Sequence, residues 1–260
     1  MRRERVLKRM PGQCPVPGAR AGGRWGASRR SVAGLMAALL TVLGLLAARP
    51  ALAAPAADPF ESFNRAVFSF NESLDKAVIK PAARAYTDTM PELFRLVLGN
   101  FFSNLSDPWI GVNNLLQGKP LDAMSDFGRF ALNTVLCFGL GDIASELGLR
   151  RNNEDLGQTL GVWGMPSGPY LVLPLLGPSS LRDAGGRVVD IALDPSRRIA
   201  DGGEFAAFTA VRIVDLRAAL LPMDRLAEGA MLDRYTFFRN AYLQRRQHLV
   251  YDGNPPEPSE

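Results

Sequence analysis

The residues that could do chemistry in this chain are few, and their spacing works against each chemistry they suggest. Gly164-Met165-Pro166-Ser167-Gly168 sets a serine among glycines but is not the G-x-S-x-G elbow of a hydrolase. The only histidine, His248, lies beside a polar tail, so a triad would lack its base and a zinc site its usual ligands. Gly139-Leu140-Gly141-Asp142-Ile143-Ala144 fits the dinucleotide fingerprint G-x-G-x-x-G/A. That fingerprint works only after a strand and within a strand–helix–strand unit, whereas the residues upstream read as a helix. The segment therefore predicts a helix C-terminus turning into the next helix. Glu154-Asp155 and Asp183 offer paired carboxylates, but adjacent acids point apart on regular backbone. A helix cap or an arginine partner is the commoner role for them. Cys137 sits in the apolar run ALNTVLCFGL, where a buried, inert thiol is expected. No catalytic residue, metal or cofactor emerges from these patterns.

The elements that carry these residues read as helices. Phe60, Phe63, Val67, Phe70 and Leu74 are spaced to line one helix face, and Met231, Tyr235, Phe238 and Tyr242 repeat that spacing near the C-terminus. Phe205, Phe208, Val211 and Leu216 mark a helix over Glu204–Leu221. Another covers Asp122–Phe138, its apolar face carrying Met124, Phe127, Ala131, Val135 and Phe138. Leu181–Leu193 follows Ser180, whose hydroxyl can cap the first turn. Strand-like alternation is confined to Tyr170–Leu173. The fold class is mainly α, in a single domain with no large sheet.

The N-terminal region reads as an address. Residues 1–31 carry nine Lys/Arg against one Glu, and Val32–Ala48 is a 17-residue run without charge. Ala51-Leu52-Ala53 supplies an A-x-A cleavage site, so residues 1–53 are expected to be a signal peptide. A small-residue linker, 54–57, precedes a helical domain, 58–252, and a disordered tail, 253–260. The whole chain is +4, but residues 1–53 hold 10 basic and 1 acidic residue, leaving 20 and 25 in the remainder. The mature charge is therefore acidic, and no basic, aromatic-interleaved stripe suits nucleic acid. Beyond the leader the longest uncharged run, 156–181, is broken by recurring Gly and Pro, so no continuous helix of the roughly 20 apolar residues needed to span a bilayer is expected. Short apolar segments do occur, at Leu93–Phe102, Trp109–Leu116, Ala131–Leu140 and Val162–Leu176, with Trp109 and Trp163 near their borders. They suit helices lying in a membrane interface, although composition alone favours an ordinary globular core.

Gly157–Asp183 is apolar yet broken by recurring Gly and Pro, so neither a long helix nor a central strand can run through it. With DPFESFNRAVFSFNESLD at 58–75, NFFSNLSDPWIGVNNLLQGK at 100–119 and RFALNT at 129–134, it resembles the VacJ/MlaA family of outer-membrane proteins. The resemblance resumes at DRYTFFRNAYLQRR, 233–246. It implies a ring-like arrangement of interfacial helices around an amphipathic channel, with no enzymatic activity. It also implies phospholipid as cargo, taken from the outer leaflet of the outer membrane, with a trimeric porin and a periplasmic lipid carrier as partners. A soluble periplasmic lipid-binding or scaffold protein is the alternative. The lipid path is expected to involve Phe70, Asn71, Asn113, Asn133, Trp163, Tyr170 and Leu173. The asparagines among these could line a channel or satisfy backbone inside the fold. Many family members carry a lipid-modified cysteine after the leader, and Leu46–Ala54 contains none. The mature protein should therefore begin at Ala54 without an acyl chain. Intact mass spectrometry of protein from membranes checks this; the mass of the uncleaved chain, or added lipid, would count against it.

Overall fold

The computed structural model of the protein describes residues 58–199, 202–227 and 233–256. The expected leader and its cleavage point, the linker 54–57, Met231 of the C-terminal stripe and tail residues 257–260 lie outside the described residues.

The first aromatic stripe forms α1 (Glu61–Leu74), which runs through a π-helical turn (Asp75–Ile79) into α2 (Lys80–Thr89). Then come α3 (Glu92–Leu116), α4 (Pro120–Cys137), α5 (Ile143–Glu146) and α6 (Leu156–Val162). A hairpin of β1 (Tyr170–Leu173) and β2 (Gly177–Ser180) leads into α7 (Leu181–Leu193), α8 (Ser196–Ile199), α9 (Gly203–Ala227) and α10 (Arg234–Val250). The fold is mainly α, and α3 packs on α4, α9 on α2 and α6 on α7. Among the described residues no helix is long and apolar enough to cross a membrane.

Local chemistry explains the boundaries. Ser180 caps α7 by accepting from the Asp183 amide (3.2 Å), and Asp155 caps α6 by accepting from Gln158 (2.8 Å). After α4, Phe138 (φ 55°) and Gly139 (φ 76°) adopt left-handed backbone, and the Gly139 N–H returns to the Asn133 carbonyl (2.8 Å). A Cβ on Gly139 would lie 2.7 Å from Asn104 Nδ2, so space as well as backbone requires glycine there. The fingerprint-like segment is thus a helix C-terminus leading to the Asp142 cap of α5. The strand β2 was not legible in advance, because Gly177 and Pro178 argue against a strand. Pro178, opposite Val172, is tolerated because the sheet has only these two strands. The start of the expected tail is bonded, with Gly253 and Asn254 amides donating to His248 and Tyr251 carbonyls. Cys137 is half-buried and carries a free thiol.

The helices pack with inverted polarity. On α4 the buried residues are Ala123, Asp126, Arg129 and Asn133, while Val135 and Phe138 of the apolar stripe are 76% and 83% exposed. On α1 the one buried residue is Asn64, while Phe63 and Phe70 face outward. On α7 Arg182, Asp183 and Gly186 are buried and Val188 is exposed. The stripe of α10 behaves conventionally: Tyr235 packs with Tyr170 and Val172, and Tyr242 closes over them.

Asn64 ties α1 to the hairpin. Its Nδ2 donates to the Tyr170 carbonyl (3.0 Å) and its Oδ1 accepts from the Val172 amide (2.8 Å), so one side chain serves as a neighbouring strand would. Two turns on, Asn71 bridges the Leu173 carbonyl and the Leu175 amide, both at 2.9 Å. Replacing Asn64 by Ala orphans two buried backbone groups and should cost about 2–4 kcal/mol. Phe63→Ala, at an outward position, should change stability by less than about 0.5 kcal/mol in detergent. Chemical unfolding in micelles measures both, and equal losses would contradict the inverted packing.

Candidate functional site

Between α3 and α9 lies a cavity of about 460 Å³. Its size falls in the range of about 300–1,000 Å³ that encloses small ligands. One face of α3 contributes Arg95, Gly99, Phe102 and Ser106, and α9 contributes Arg212, Asp215 and Leu216. Arg151, from the segment before α6, adds a third guanidinium. The wall is thus both cationic and apolar. Arg212 is committed: it donates to Asp194 Oδ2 (3.1 Å) and Ser106 Oγ (3.0 Å) and lies over the Phe102 ring at 5.9 Å. Asp215 accepts from the Tyr86 hydroxyl (2.9 Å). Arg95 Nε is buried and has no hydrogen-bond partner among the described residues.

Two buried polar networks lie elsewhere in the fold, the first reaching α3 through Asp107. Arg129 donates to Ser145 Oγ (2.9 Å), the Leu149 carbonyl (3.0 Å) and Asp142 Oδ1 (2.8 Å), with Asp107 Oδ2 3.6 Å from its Nε. Burial alone would raise the Asp142 carboxyl, but bonds from Ser145, Arg129 and Asn133 outweigh it and hold it at about 2. In the second network Arg246 bridges Asp155 (2.6 Å) and Asp183 (3.0 Å), and Tyr242 donates to Asp183 (2.6 Å). Burial opposes their ionisation, yet Arg246 holds both carboxyls below their ordinary range. These acids are structural, with Asp155 a cap and both of them arginine partners. Gly157 and Gly186 let α6 and α7 meet here: a Cβ on Gly186 would lie 2.6 Å from the Gly157 nitrogen. Among the described residues no acid, histidine or cysteine cluster could hold a metal.

None of the seven residues expected on a lipid path lines this cavity. Phe70 is exposed, and Asn71 reaches Leu173, which is half-buried. Trp163 is 57% exposed and donates its indole N–H to the Leu116 carbonyl (2.9 Å). The other three are buried and engaged by protein. Asn113 (0% exposed) donates to the Trp109 carbonyl and accepts from Thr159, and Asn133 (2%) donates to Asp142 and accepts from the Ala144 amide. Tyr170 (4%) sits between the Tyr235 and Tyr242 rings. Sequence reasoning missed Arg95, Arg212 and Asp215. The available signal was a lone charge, Arg95, inside the apolar segment 93–102.

Helices with polar buried faces and apolar outer faces, together with a cavity that offers guanidiniums and hydrocarbon, suit a membrane-associated protein with amphipathic ligands. The comparisons with known proteins agree. The MlaA lipoprotein family matches residues 56–249. The intermembrane phospholipid transport system lipoprotein MlaA of Shigella flexneri is 36% identical over 210 residues, covering 78% of this chain and 82% of that protein. The Haemophilus influenzae protein of the same name is 36% identical over 210 residues, 78% of this chain and 83% of its own. A solved structure described as the structural basis for maintenance of bacterial outer membrane lipid asymmetry superposes with a TM-score of 0.67 at 37% identity. It covers 75% of this chain and 99% of its own. The chain belongs to the MlaA family.

The buried acids make stability depend on pH. Burial pushes Asp107 and Asp190 up from 3.8 to about 6, and raises Asp126 and Glu154 in the same direction. Where the folded pKa exceeds the unfolded one, the folded state binds the extra proton, so stability rises as pH falls through 6 toward 4. Below about 4 the trend reverses, as carboxylates held low, such as Asp142, become protonated. Asp107→Asn should remove part of the rise. Thermal unfolding midpoints across this range check it, and a parent midpoint that is flat or falling from pH 7 to 5 would contradict it.

Proposed function

We propose that the chain carries out intermembrane phospholipid transport as an MlaA protein of the outer membrane, maintaining the asymmetry of that membrane. The single observation that carries the reading is the inverted polarity. Outward apolar faces on α1, α4 and α7 can reside in hydrocarbon, because Asn64, Arg129 and Asp183 on the opposite faces are bonded within the protein. A phospholipid has a charged head and apolar tails, so its passage needs guanidiniums and apolar wall side by side. The cavity between α3 and α9 offers both. Transport breaks no bond, and the family is non-enzymatic.

The finer steps belong to the same proposal. Phospholipid misplaced in the outer leaflet enters from the membrane and leaves on the periplasmic side to a lipid carrier, with a trimeric porin as the neighbour in the membrane. The apolar faces and that neighbour hold the protein in place without an acyl chain. Phe70, Trp163 and Leu173 contact acyl chains, while Asn71, Asn113, Asn133 and Tyr170 hold the wall from behind through the bonds and ring contacts described above.

Photo-crosslinkers placed at Trp163 and Leu173 in cells should capture phospholipid. One at Arg245, on the exposed side of α10, should not. Equal capture at all three places, or none at the first two, would overturn this path.

A further inference from the structure

The charged groups of the cavity are arranged in an unusual way. Arg95 and Asp215 line the same space, yet among the described residues the Arg95 side chain enters no hydrogen bond or ion pair, and its Nε is buried without a partner. A buried donor left unsatisfied is costly and calls for an acceptor. Asp215 uses one oxygen, Oδ1, to accept from Tyr86. Burial pushes the Tyr86 hydroxyl up to about 12, so it stays protonated and keeps donating. Oδ2 of Asp215 faces Gly99, 3.8 Å from where a Cβ on that glycine would lie. Gly99 is one helical turn from Arg95 and places no side chain between the two charges. Of the two other cations at the cavity, Arg212 is already held by Asp194 and Ser106, and Arg151 acts electrostatically on Asp107.

A cation and an anion that share a cavity without pairing suit a ligand that carries both charges. We propose that this cavity selects phospholipids with a primary-amine head group, Arg95 binding the phosphate and Asp215 the ammonium. The inference rests on the transport reading above and adds the head-group class. The phosphate accepts charge-assisted hydrogen bonds from the Arg95 guanidinium, and the ammonium donates to Asp215 Oδ2. A choline head keeps the positive charge but has no N–H to donate. A glycerol head has no positive charge and leaves the lipid net negative beside the Asp215 carboxylate. The acyl chains lie along Phe102 and Leu216, which belong to the same cavity.

Full-chain protein reconstituted in vesicles of equal phosphatidylethanolamine, phosphatidylcholine and phosphatidylglycerol tests this, with bound lipid read by native mass spectrometry. The expected order of capture is ethanolamine over choline over glycerol. Asp215→Asn, which keeps an acceptor for Tyr86, should abolish the preference for ethanolamine over glycerol while lipid is still captured. Arg95→Gln should lower capture of all three. Capture of the three lipids in equal amounts, or a preference unchanged in Asp215→Asn, would overturn the head-group inference and leave transport standing. Capture of no phospholipid by the parent protein would overturn both.

Discussion

Burial of paired polar groups is the constraint on which the rest of the structure depends. Arg129, Asp107, Asp126, Asn113, Asn114 and Asn133 lie at 2% exposure or less, where a soluble helical protein would place leucines. A polar group taken out of water is tolerated only when its bonds are replaced, and an ion only when it is also paired. The Arg129 and Arg246 networks supply most of those bonds and pair the ions, Asp107 being held by charge alone, 3.6 Å from Arg129 Nε. Between outward faces and lipid there is little hydrophobic force to order the helices. Geometry therefore comes from directional bonds, and from glycines such as Gly157 and Gly186 that let backbones approach.

The same constraint shapes the functional regions. Asn64 and Asn71 satisfy the hairpin from α1, so a two-stranded sheet survives without a third strand. α3 serves two purposes: Asn113 and Asp107 join the polar interior, while Arg95, Gly99 and Phe102 face the cavity. The cavity wall and the polar interior therefore share one helix. A change to its polar face would disturb the cavity wall even without touching it.

Much of this was legible in residue order. The periodicities located α1, α4, α7, α9 and α10, Ser180 capped α7 as expected, and Tyr170–Leu173 formed a strand. The motifs from 58 to 183 placed the chain in its family. What periodicity could not supply was the direction of each stripe: Phe63 and Phe70 of α1 face out, while Tyr235 and Tyr242 of α10, equally spaced, face in. Spacing reports a face, and only the partners of the opposite face decide which medium it meets. The cavity was hidden for a different reason. Arg95 and Asp215 are far apart in sequence, and nothing local signals that α3 and α9 would bring them to one space.

The central claim is that the apolar stripe of α4 lies in lipid while its opposite face is sealed from both lipid and water. Spin labels at Met124 and Val135, in full-chain protein reconstituted in vesicles, test it directly by collision with two relaxants. The account predicts strong relaxation by oxygen, which concentrates in hydrocarbon, and little by a water-soluble nickel chelate. Relaxation dominated by the chelate at both positions would place that face in water and contradict the account.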